Sequence, residues 1–164
     1  MRTLLFLLFA LPALAFAEPR PGLWEFTSQL QEDGQAMPNM PQMLAQLQSL
    51  PAEQRQMMEQ MFAQQGVRLG GNGVQLCLSE ERLKNLEISL QAPDSECRHE
   101  VTERSAELWK FRIQCPNGEG EGEARFHGDT AFTTTVNGVY DGKPSSMTSQ
   151  AKWLGADCGD LPSR

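Results

Sequence analysis

ELWKFRIQCPNGEGEGEARF, residues 107–126, alternates along almost its whole length. Trp109, Phe111, Ile113 and Cys115 fall on one side of an extended chain, and Lys110, Arg112 and Gln114 on the other. Successive side chains of a strand point to opposite faces, so this is a half-buried strand and not a helix. From Gly118, Glu119, Glu121, Glu123 and Arg125 alternate with Gly120, Gly122, Ala124 and Phe126. Glycines on the inner side of a strand allow tight bending or close approach of another element. The stretch predicts an antiparallel pair with one charged face and one apolar, closely approached face.

The same period extends in both directions. Cys97 to Arg104 reads as a strand, and Thr130 to Val136 is rich in Thr and Phe, which suits one. Ser145, Met147, Ser149, Ala151 and Trp153 alternate in a last strand. Asn137-Gly138 and Asp141-Gly142 are hairpin-type dipeptides. Upstream, Pro21-Gly22 opens a strand with Trp24, Phe26, Ser28 and Leu30 on one face, and Gly34 ends it. Val74, Leu76 and Leu78 mark another strand, after which Ser79 caps a short helix with Leu83 and Leu86 apolar. Pro93-Asp94-Ser95 is a loop. Strands spaced by about ten to twelve residues with turns between predict a mainly β fold, a curved antiparallel sheet or incomplete barrel.

Residues 31–72 interrupt the pattern. Six of the eight methionines lie there: Met37, Met40, Met43, Met57, Met58 and Met61. Pro51 to Gly66 reads as a helix, with proline in the first turn, Glu53 behind it and glycine at the stop. A shorter helix is expected over Gln42 to Leu50, with Leu44, Leu47 and Met43 inward. The segment is thus a helical, Met/Gln-rich and partly mobile insertion after the first strand, closed by Gly70-Gly71-Asn72-Gly73.

Residues 1–17 read as a secretory signal peptide: Arg2, an apolar run from Leu4 to Leu14, and Ala15-Phe16-Ala17 as the cleavage signal. The run is too short for a membrane span. Residues 18–164 then form one domain in the periplasm or outside the cell, with no transmembrane segment after cleavage. The chain carries a formal charge of −7, and loss of Arg2 leaves −8. That acidity argues against nucleic acid and anionic membranes as partners.

All four cysteines lie beyond the leader, and an even count in an exported protein predicts disulfides. A hairpin centred on Ala106 sets Cys97 opposite Cys115, within bridging distance, and leaves Cys77 for Cys158. No Cys-x-x-Cys occurs, so neither a redox pair nor a zinc knuckle is expected. Glu119, Glu121 and Glu123 read as a solvated face, and the histidines, His99 and His127, form no metal set. No nucleophile elbow or phosphate loop is present, so no catalytic residue is assigned.

The methionines hold the chemical promise. Met57, Met58, Met61 and Phe62 share one narrow helix face, the candidate binding face, since methionine adapts to varied apolar partners. The alternative is copper(I) handling, because soft thioethers suit a soft ion.

The order of landmarks is Pro-Gly-Leu-Trp-Glu (21–25), a Met/Pro-rich stretch (37–43), Cys-Leu-Ser-Glu-Glu (77–81), Asp-x-x-Cys (94–97) and Trp-Leu-Gly-x-x-Cys (153–158). It resembles a bacterial family of exported proteins of unknown function, DUF3617, over nearly all of the chain beyond the leader. The resemblance implies a secreted or periplasmic β-rich domain and brings no established activity or site residue. The sequence leads to a non-enzymatic binding module without a cofactor or metal. Its partner is expected to be an apolar small molecule or a segment of an envelope protein.

Overall fold

The computed structural model describes residues 18–85 and 96–163. The leader at 1–17, Leu86 and the loop at 93–95 lie outside them. Nine strands form one antiparallel sheet: β1 (Gly22–Glu32), β2 (Gln35–Ala36), β3 (Val67–Leu69), β4 (Val74–Leu78), β5 (Arg98–Arg104), β6 (Leu108–Cys115), β7 (Gly118–Phe126), β8 (Ala131–Tyr140) and β9 (Lys143–Gly155). Their order is β3-β4-β1-β9-β8-β7-β6-β5, with β2 on β1. Among the described residues three helices interrupt them: α1 (Met40–Gln48), α2 (Ala52–Gln64) and α3 (Glu80–Asn85). The fold is the expected mainly β one, a sheet not closed into a barrel.

Its inner face is built in rows across the strands. One row runs Val74, Phe26, Ala151, Phe132, Phe126. The next runs Ser28, Ser149, Thr134, Ala124, Trp109. Trp24 and Phe132 lie two strands apart, roughly 10 Å along a flat sheet, yet their ring centroids are 5.2 Å apart. Trp24, Phe26, Trp109, Phe111, Phe126 and Phe132 are buried, and Leu83 of α3 joins them. Ile113 and Trp153 are half-buried against it. Each indole N–H donates to a backbone carbonyl: Trp24 to Arg20, Trp109 to Ser105, Trp153 to Pro21. A buried indole needs such a partner, so the tryptophans serve the fold.

The glycines on the inner face act as their position implies. Phe111 pairs with Gly122, and a Cβ there would stand 2.5 Å from its ring. Glycine thus lets the ring lie flat on the sheet.

Two details differ from the sequence reading. Asn137-Gly138 is not a turn but lies inside β8, where Gly138 faces Gly120 of β7. The turn is Asp141-Gly142, both at positive φ (49° and 77°), the conformation of a two-residue hairpin. The helical part of the insertion is also narrower than 31–72. At its start β1 runs to Glu32 and turns into β2; at its end β3 pairs with β4.

The helices differ in anchorage. In α1, Asn39 and Gln42 form a reciprocal capping box, and Leu44 is buried. Leu47 is half-buried and Met43 exposed, against the inward placement expected for it. In α2 no residue is buried, and Pro51 offers no side-chain cap. Gly66, at φ 67°, stops it. Local opening tracks buried apolar contact. Amide exchange of α2 is therefore expected to be at least about a hundredfold faster than that of β1, β8 and β9, read by mass spectrometry after deuteration.

Candidate functional site

At one end of the sheet the inner face is packed with aromatic rings; at the other it lies open. Leu30, Met147, Val136 and Gly122 form one row there, and Ser145, Gly138, Gly120 and Ile113 the next. Small residues in the second row leave a trough. It is an apolar groove of about 140 Å³, walled by Leu30, Ile113, Val136, Val139, Tyr140 and Met147. An apolar cavity of about 150 Å³ takes a benzene-sized guest. Leu30 and Tyr140 remain exposed, which leaves the wall open to solvent.

Three hairpins frame the mouth and tie into one another. Glu32 accepts from the Lys143 ammonium at 2.6 Å, and the Asp33 amide donates to the Pro144 carbonyl at 2.9 Å. The Asp141 amide donates to the Asn117 carbonyl at 2.9 Å, and Asn117 Nδ2 donates to Asp141 Oδ1 at 3.2 Å. Hydrogen bonding to Glu32, with the charges of Asp33 and Asp141, holds the Lys143 ammonium above its usual pKa.

The cysteines lie as the register requires. Cys97 bridges to Cys115 with Cα atoms 4.1 Å apart, and Cys77 to Cys158 at 5.6 Å. The first bridge ties β5 to the groove, since Cys115 lines it. The second ties the C-terminal segment to β4.

The candidate binding face of α2 is not part of this site. Met57 and Met61 are exposed, Met58 and Phe62 half-buried, and none of the four lines the groove. The helix packs against β3, at the sheet edge. Leu30, Ile113, Val136, Tyr140 and Met147 line the groove. The sequence signal for it was the coincidence of inner-face glycines at 120 and 138 with small Ser145, visible only once the strands are in register.

Glu119 and Glu121 are exposed, and Glu121 and Glu123 pair with Arg112 and Arg125 on the solvated face. Partial burial lowers the pKa of His99 on β5. Among the described residues, no three His, Cys, Asp or Glu side chains gather as a metal set, and no helix is long and apolar enough to cross a membrane.

A family model described as "Protein of unknown function (DUF3617)" matches residues 19–158. A Pseudomonas putida protein, "Uncharacterized protein in lpd-3 5'region", is 48% identical over 115 residues, 70% of this chain and 81% of that protein. No solved structure matches the chain.

Proposed function

The chain belongs to the DUF3617 family, and within it we propose an exported, non-enzymatic binding module whose groove takes an apolar group. The observation that carries this reading is the groove itself: β1, β6, β8 and β9 bring apolar side chains to one end of the inner face, glycines of β7 make room between them, and Leu30 and Tyr140 stay exposed. Binding sites are concave and mostly apolar with few polar groups, and the one polar side chain that this one takes from the inner face is Ser145. Two disulfides support a location outside the reducing cytoplasm, with the periplasm as the compartment.

The test is a native mass spectrum of the protein purified from its own host, beside Leu30→Asp. Leu30 is 41% exposed, so the charge enters the groove wall without entering the core. The wild type is expected to carry added mass that the variant lacks. Bare protein in both, or the same added mass in both, would overturn the reading.

A further inference from the structure

The groove mouth is charged on one side of neutrality. Apart from Glu119, which belongs to the solvated face, the segments that frame it, 31–36, 115–119 and 139–145, hold three carboxylates, Glu32, Asp33 and Asp141, and one ammonium, Lys143. Lys143 is already committed to Glu32. Asp33 and Asp141 sit at the tips of neighbouring hairpins, and both act on the same ammonium. Desolvation disfavours the charged form of His99, opposite groove-lining Ile113. The apolar wall thus opens through a rim of net negative charge.

We propose that the groove selects a small cationic amphiphile: its apolar stem lies along Leu30, Val136 and Met147, and its ammonium head meets the carboxylates of Asp33 and Asp141. This rests on the proposed binding role and adds the charge of the ligand. Two observations favour a small molecule over a protein strand. The groove has the volume of a single ring or short alkyl stem. The nearby sheet edge β5 resists strand addition: it carries Arg98, Glu100, Glu103 and Arg104, all exposed, and is bulged between Val101 and Glu103.

The test titrates the full mature chain, by calorimetry at low ionic strength, with three six-carbon probes. These are hexyltrimethylammonium, hexyl glucoside and hexyl sulfate, each as monomer. The ammonium is expected to bind on the order of tenfold more tightly than the sulfate, with the ratio shrinking as salt is added. Asp33→Asn/Asp141→Asn is the matching variant. Both residues adopt positive φ (51° and 49°), which asparagine accepts as readily, so the turns survive. The variant should move the ratio toward parity and leave hexyl glucoside binding unchanged. Equal binding of all three probes to the wild type, or tighter binding of the sulfate, would overturn the charge selection and leave the binding role standing. Failure of all three to bind would overturn both. A preference that persists undiminished in the variant would overturn the assignment to Asp33 and Asp141.

Discussion

Trp24→Ala is expected to destabilise the protein by about 3–5 kcal/mol, the range for truncating a large buried aromatic. Trp24 is fully buried, stacks obliquely on Phe132 and donates its indole N–H to the Arg20 carbonyl. It lies on β1, between β4 and β9, so the cavity would open where the two wings of the sheet meet. Neighbouring rings fixed in their own rows cannot collapse fully into it, and the residual void adds to the lost transfer free energy. Urea unfolding followed by circular dichroism measures the change. Met57→Ala, on a side chain 71% exposed, should by contrast stay within about 0.5 kcal/mol of wild type. A Trp24→Ala loss as small as that would place the core elsewhere.

Removing the Cys77–Cys158 bridge should cost nearly as much. The two cysteines are 81 residues apart. In the chain-entropy model, closing a loop of that length restricts the unfolded chain by about 4.5 kcal/mol. The Cys97–Cys115 bridge spans 18 residues, and the same model gives about 3.2 kcal/mol. Cys77→Ala/Cys158→Ala is therefore expected to lower the urea midpoint further than Cys97→Ala/Cys115→Ala. The reverse order would mean that the short bridge does more than restrict the chain, for instance by holding β5 on the sheet.

What the sequence made legible is what period and counting control. Face assignments held along β1, β6, β7 and β9, because a strand has one period and a register slip would turn every apolar side chain outward. The Cys97–Cys115 pairing held for an instructive reason. Pairs from Arg98–Gln114 to Val101–Phe111 keep the register centred on Ala106; a bulge before Glu103 then shifts the pairs nearest the turn by one residue. The cysteines lie on the unshifted side. Asn137-Gly138 misled because the same dipeptide that favours a hairpin turn also serves where two strands lack room for side chains, and Gly138 faces Gly120. The groove was not legible. Its walls come from five strands, and which end of the inner face stays open depends on how far the aromatic rows extend, a property of the whole sheet. The methionines of α2 drew attention by composition; the helix packs against the edge strand β3, apart from the groove on β1 and β6 to β9.

The most direct test of the binding role is a methyl-resolved NMR titration of the mature protein with hexyl glucoside, which carries no charge and so reports on the apolar groove alone. Shifts should be confined to the methyls of Leu30, Ile113, Val136 and Met147, and Leu30→Asp should abolish them. Shifts centred on Met57, Met58 and Met61 of α2, or no shifts at all, would contradict the account.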